Sequence, residues 1–338
     1  MGRFNILYGS WSMIGLIYPV QNVVMSIQKP QQELAINHAH VIQQFKRRQM
    51  LEPARFLLDE VADRMIDRLK YIKHSPASIL DAGCGLGHGI EILQRLYPEA
   101  EFTGLDNQKD FLKLAEQRLM PQVTTFGSIK SLLSRVSGKA ASQMAGTKIP
   151  RFVEADLATS TLKPNIFDFI WSNMALHWHR SPPEVFREWY RLLAVDGLLM
   201  FSCFGPATLI ELRAAIQQAG WKTQTMAFVD MHDFGDMLME SGFKDPVMDQ
   251  QMITLTYKTP QKLLADVRAL GGNPSLGRNP GLQSRESLQR LYQALEEQRR
   301  DDGLIYLSFE IINGHAWRGA SLHFDGVTRV SIASIGRK

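Results

Sequence analysis

Between Asp81 and Gly89 the chain reads DAGCGLGHG, an acid followed by glycines at 83, 85, 87 and 89. Glycine is required where the backbone takes a positive φ or where a ligand touches the main chain. A strand that runs through such a turn into a helix points unpaired N–H groups at whatever lies in front of it. The preceding Ser78-Ile79-Leu80 is apolar enough for a buried strand, and GIEILQRLYP is helical up to Pro98. A nucleotide-type ligand is expected there. Register and charge narrow its kind. The dinucleotide fingerprint needs glycines as G-x-G-x-x-G, and here its third place is His88. Asp81 at the head of the loop would repel a pyrophosphate. An acid-x-G-x-G-x-G loop suits a nucleoside with a cationic end and no phosphate, and S-adenosylmethionine, with its sulfonium and ammonium, fits better than NAD. Asp106, at the tip of AEFTGLD, is placed to accept hydrogen bonds from ribose hydroxyls. That supports a nucleoside without choosing between the two.

Other reactive side chains are sparse. His177 and His179 flank Trp178 at i, i+2 with no third ligand in view, so no metal site is expected. No Ser-His-Asp or Cys-His set is readable. Cys84 and Cys203 are the only cysteines. They make no disulfide framework and point to a reducing compartment.

The elements that must hold these residues alternate. EPARFLLDEVADRMIDRLKYI repeats apolar residues every three or four places and is an amphipathic helix. Strands are expected at SPASILDAG, AEFTGLD, RFVEAD, IFDFIWSN and GLLMFSCFG, with helices at KDFLKLAEQRL and PPEVFREWYRLLA between them. Such alternation gives a doubly wound parallel sheet, because each parallel pair needs a crossover. After Gly205 come helices at ATLIELRAAIQQA, MHDFGDMLMESG, PQKLLADVRAL and SRESLQRLYQALEEQ, a strand at PVMDQQMITLTY and a long final strand at GLIYLSFEIINGHAW. One α/β domain over residues 41–320 with a helical lid at about 259–300 fits this order. Residues 121–149, rich in Ser, Gly, Lys and Ala, are expected to be an insertion, and 1–40 and 321–338 to be tails.

In order along the chain, LDAGCGLG, GLDN, VEAD and FDFIWSNMALHW resemble the four motifs of the class I S-adenosylmethionine-dependent methyltransferases. The resemblance implies a mostly parallel seven-stranded, Rossmann-like sheet. It places Asp81, Gly83, Gly85 and Gly87 at the methionine end, Asp106 and Asn107 at the ribose, and Asp156 at the adenine amino group between Ala155 and Leu157. Asn173 and Met174 would face the cofactor near the methyl, with His177 as a wall of the methyl-transfer pocket. The stretches SNMALHWHRSPPEVFREWYRLLAVDGLLMFSCFGPATLIELR, FVDMHDFGDMLMESGFKDPVMD, LLADVRALGGNP and YLSFEIINGHAW are similar to the malonyl-acyl-carrier-protein O-methyltransferases of biotin synthesis, over roughly residues 41 to 318. This implies methyl transfer to the free carboxylate of a malonyl thioester on acyl-carrier protein. Such a carboxylate is already ionised at neutral pH and needs no base. Cations near the mouth would hold it, with Arg47 and Arg48 of FKRR and Arg268 as candidates. Members of the family carry a tyrosine where Glu52 stands. The LHW at 176–178 also resembles an arginine-hydroxylating complex I assembly factor on the same fold, and a quinone-type methyltransferase is a third reading.

Composition sets outer bounds. The chain has 338 residues, 45% hydrophobic and 21% charged, with a net charge of +4. These are the proportions of an ordinary globular chain. No charge lies between Arg3 and Lys29, yet Asn5, Ser10, Ser12, Pro19, Gln21 and Asn22 are ill suited to a bilayer core. The expectation is an upstream start, with Met25 opening the natural chain. A cytoplasmic enzyme with a carrier-protein partner is expected, with no nucleic acid and no stable membrane insertion.

Overall fold

A computed structural model describes residues 33–47, 55–120, 148–279, 281 and 283–319. Most of the expected insertion, both distal tails, Met25, Arg48 and Glu52 lie outside the described residues. In chain order the elements are α1 (His38–Arg47), α2 (Arg55–Leu69), β1 (Ser78–Ala82), α3 (His88–Leu96), β2 (Glu101–Asp106), α4 (Lys109–Leu119), β3 (Arg151–Glu154) and β4 (Phe167–Asn173). There follow α5 (Pro182–Leu192), β5 (Leu193–Phe204), α6 (Ile210–Gln218), α7 (Met231–Glu240), β6 (Phe243–Tyr257), α8 (Pro260–Leu270), α9 (Arg285–Glu296) and β7 (Ile305–Arg318).

The seven strands form one sheet in the order β3-β2-β1-β4-β5-β7-β6. The pairs from β3 through β5 are parallel, and β7 runs antiparallel to both β5 and β6. Strand periodicity of two divides the core between the faces. Ile79, Phe169, Trp171, Leu198 and Met200 point to one side, where α2, α3, α6, α8 and α9 pack. Leu80, Ile170, Leu199 and Phe201 point to the other, where α5 and α7 supply Phe186, Trp189, Phe234 and Leu238. Runs such as Ile79–Ala82 and Leu198–Phe204 are buried on both faces and therefore read as continuous apolar stretches.

Two departures from the sequence reading have local causes. The helix expected from Ala207 begins at Ile210, because Thr208 closes a turn on Gly205 and Leu209 takes φ +61°. The domain edge expected at residue 41 falls inside α1. Residues before it are tied to the loop after α8: Ile36 bridges Ser275, and the Asn37 N–H donates to the Pro274 carbonyl (2.8 Å). That tie brings α1 across the C-terminal ends of the strands. The β6–β7 ribbon outruns its neighbours, since β5 ends opposite Ile311 while β7 pairs with β6 back to Ile305. Its overhang carries Leu307 and Phe309, which share one core cluster with residues of α6, α8 and α9.

Candidate active site

The order of strands reverses between β1 and β4, and a doubly wound sheet opens a crevice beyond its strand ends at such a point. Here the crevice encloses about 870 Å³ of empty space, counted with its open mouth. Its floor is the turn after β1. Gly83 and Cys84 donate their N–H groups to the Leu105 carbonyl (2.7 and 3.0 Å), which stitches the turn to the end of β2. Gly83 has φ +81°, and a Cβ there would lie 2.3 Å from that of Ala175. Gly87, at φ +78°, caps α3.

Asp106 forms the next wall. Its two carboxylate oxygens accept the Gly85 N–H (3.0 Å) and the Gln108 N–H (2.8 Å). Burial nevertheless pushes its carboxyl up to about 6. Asp81 lies beneath the turn, 3% exposed, with Oδ2 lacking any partner. Burial first, and then the charge of Asp106, push it up to about 7. Two buried carboxyls, one in the crevice wall and one beneath its floor, create a negative field there. A pyrophosphate would be repelled; a sulfonium or ammonium would relieve the cost of burying them. The residues present therefore fit S-adenosylmethionine.

The residue after β3, Ala155, donates its N–H to the Asp106 carbonyl (3.1 Å), and Asp156 stands just beyond it. Its Oδ1 accepts from the Ala158 N–H (2.9 Å) and lies 3.1 Å from His179 Nε2, while Oδ2 lies 3.6 Å from His38 Nε2. Burial alone would raise this carboxyl, but the His179 contact, the Ala158 N–H and the two imidazole charges bring it below its usual value. Ala155 and Leu157 line the crevice on either side.

Of the residues singled out from sequence, Gly83, Gly85, Asp106, Asn107, Ala155, Asp156, Leu157, Asn173 and Met174 line this one crevice. Asp81 and Gly87 support it from behind. Asn173 lies in the wall with its carboxamide committed: Nδ2 donates to the Leu58 carbonyl (2.9 Å) and Oδ1 accepts from the Ser202 hydroxyl (2.8 Å). It positions β4 against α2 and β5 rather than presenting a free group to the methyl. Met174, at φ +56°, shares its N–H between the Ser202 carbonyl and hydroxyl, each at 3.1 Å.

Three residues expected at the site stand outside the crevice wall. His177 is not part of the crevice wall: it is 2% exposed and packs on Phe204 and Trp178 at ring distances of 4.6 and 4.9 Å. Burial lowers its pKa to about 3, so it is neutral at pH 7. Arg47 and Arg268 are exposed and do not line the crevice, although Phe45, Ala269 and Leu270 beside them do. The sequence reading also missed α1, which contributes His38, Val41 and Phe45 to the wall. Their spacing of three and four is the helical signal that could have found it. Trp178, likewise unassigned, meets Phe45 edge-on at 5.3 Å and covers Gly271, where a Cβ would come within 1.9 Å of its ring.

Comparison with known proteins agrees with this geometry. Residues 80–201 match the family model described as a methyltransferase domain. A malonyl-[acyl-carrier protein] O-methyltransferase of Laribacter hongkongensis is 40% identical over 269 residues, covering 79% of this chain and 84% of its own. One of the same description from Gallionella capsiferriformans is 38% identical over 262 residues, covering 77% and 83%. The solved structure of a candidate methyltransferase from Bacillus halodurans superposes with a TM-score of 0.50 at 15% identity, over 77% of this chain and 99% of that one, and shares its fold. No described helix is long and apolar enough to cross a membrane. With the motif residues gathered in one crevice and relatives matched over most of its length, the chain belongs to the malonyl-[acyl-carrier protein] O-methyltransferase family of class I S-adenosylmethionine-dependent enzymes.

Proposed function

We propose that the chain methylates the free carboxylate of a malonyl thioester carried on acyl-carrier protein, in the cytoplasm. The observation that carries this reading is the pair of buried carboxyls, Asp81 and Asp106, against a left-handed glycine turn, in a chain whose relatives bear that activity in their names. S-adenosylmethionine supplies the electrophilic methyl. Asp106 accepts the ribose hydroxyls, Asp81 sets the negative field that favours the cationic end, and Asp156 takes the adenine amino group on its less committed Oδ2. His179 and His38 orient that carboxylate. Trp178, Phe45 and Leu270 close the apolar mouth and exclude water.

No proton needs to move on this chain. A malonyl carboxylate is ionised at neutral pH and attacks directly, so the protein contributes alignment, which can be worth several kcal/mol of barrier. The imidazoles in the crevice wall turn to Asp156 rather than toward an acceptor, which suits a reaction without a general base. Arg47 and Arg268, exposed beside the mouth, are placed to meet an acidic carrier. Purified protein incubated with malonyl-acyl-carrier protein and S-adenosylmethionine should yield the methyl ester by mass spectrometry. It should also restore growth without biotin to a bacterium lacking this step. Stable protein that does neither refutes the reading.

A further inference from the structure

The imidazole of His177 is the buried polar group that the crevice leaves unused. The turn Leu176–Trp178 directs its side chain away from the nucleoside crevice and under the segment 221–230. There it sits in an aromatic box of Trp178, Phe204 and Phe228, at ring distances of 4.9, 4.6 and 6.0 Å. Both ring nitrogens are buried and neither has a hydrogen-bond partner. A neutral imidazole has one donor and one acceptor, and leaving both unmet in an apolar box costs stability that a phenylalanine of similar shape would not. Buried polar side chains are otherwise paired in the great majority of cases. The other imidazole of the same turn, His179, has partners on both nitrogens. His38 also leaves its Nδ1 without a partner, but among the described imidazoles only His177 leaves both nitrogens buried and unmet.

Its location says what it awaits. His177 follows Met174 and Ala175 of the crevice wall by a few residues, and its ring packs on that of Trp178, which also lines the crevice. It lies beyond the end of β4, on the side of the crevice away from Asp106 and the ribose. The cover over it is irregular backbone, with Met226 and Val229 buried on either side of Phe228. Residues 221–230 form no helix or strand, and Phe228 is only half-buried. Trp221 and Gln224 anchor the start of the segment, through Trp221 Nε1 to the Ser287 carbonyl (3.1 Å) and the Gln224 N–H to the Gly277 carbonyl (3.0 Å). Asp230 caps α7 at its far end. Segments with few backbone bonds open most readily.

We propose that His177 is the residue that reads the methyl acceptor, donating its one N–H to an acyl oxygen that does not attack when Phe228 swings aside. This rests on the carboxyl-methyltransferase reading above. The acceptor is a short acyl chain with an oxygen at each end. A donor on the thioester carbonyl fixes the chain while the distal carboxylate oxygen bonds to the methyl carbon. The sulfur–methyl bond breaks, its electron pair stays on sulfur, the sulfonium becomes a neutral thioether, and no proton changes place. A donor on the attacking oxygen would slow that step, so the donor belongs to the other end.

The test compares wild type with His177→Phe and His177→Gln. His177→Phe should bind S-adenosylhomocysteine as wild type does, melt no lower, and lose about tenfold in kcat/KM for malonyl-acyl-carrier protein, the worth of one good hydrogen bond. His177→Gln, which keeps a donor, should recover part of the loss. A His177→Phe enzyme with undiminished kcat/KM overturns the proposal while leaving the methyltransferase reading intact. Wild type that forms no methyl ester sinks the reading itself. A second readout does not depend on turnover or on the variant folding. Malonyl-acyl-carrier protein added to the S-adenosylhomocysteine complex of wild type should shift the His177 ring-nitrogen NMR signals, and carrier without the malonyl group should not. Unshifted signals in a complex shown to form also overturn it.

Discussion

Replacing Gly83 by alanine should separate two costs that the glycine turn avoids. At φ +81° an L-residue gives up about 1–2 kcal/mol relative to glycine. The new methyl would also stand 2.3 Å from Ala175 Cβ, where carbon atoms ordinarily rest about 3.5–4.0 Å apart. Ala175 has little room to retreat. The Met174 N–H before it is held by Ser202, and its own carbonyl accepts the Trp178 N–H (3.1 Å). Overpacking of this kind typically costs about 1–3 kcal/mol, so Gly83→Ala should lose roughly 2–5 kcal/mol in urea denaturation. S-adenosylhomocysteine affinity should fall with it, since the floor of the crevice must move. Ala175→Gly in the same chain removes the collision and leaves the dihedral cost, so the double variant should recover all but about 1–2 kcal/mol. A single variant that loses under about 1 kcal/mol, or a double variant no more stable than the single, would show that the turn is not packed as described.

Three further outcomes follow from charge. Ribose hydroxyls donate to an ionised Asp106, whose carboxyl ionises near 6, so S-adenosylhomocysteine affinity measured by calorimetry should rise from pH 5 to 7 and level off above. Asp106→Asn should flatten that rise and weaken binding by about tenfold or more. The same raised carboxyls make the unliganded protein lose stability as pH climbs through 6 and 7, because the native state prefers them protonated; Asp81→Asn should stabilise it at pH 8 and gain little at pH 4, by urea denaturation. Arg47→Glu and Arg268→Glu should each raise KM for the carrier-bound acceptor, by less at high salt, with S-adenosylhomocysteine affinity unchanged. An equal KM at low salt would remove that arginine from the docking face.

The sheet and the cofactor end of the crevice were legible because their signals are local. Strand-end acids and a glycine turn sit within runs buried on both faces, and period and punctuation identify them without tertiary knowledge. Asp81, Asp106 and Asp156 emerged at strand ends as their motifs implied. What lay hidden depends on contacts distant in sequence. Helix α1 spans only ten residues and covers the crevice because Ile36 and Asn37 tie it to residues 274–275. The direction of the His177 ring depends on Phe204 and Phe228, more than twenty-five residues away. The commitment of Asn173 depends on Leu58 and Ser202. The carrier-facing cations were read from charge alone, and charge does not say which wall of a crevice a side chain belongs to.

The last of the described strands is the sixth in the sheet, lying between β5 and β6 and hydrogen-bonding to both. Until it arrives, β5 and β6 each lack a hydrogen-bonding neighbour on one edge, a template for pairing with a second copy. The core beneath α6, α8 and α9 waits for it too, since Leu307 and Phe309 belong to the same cluster. Every residue through Arg318 must therefore be made before the described sheet is complete, and chains cut short of Ile305 should be the ones that chaperones retain.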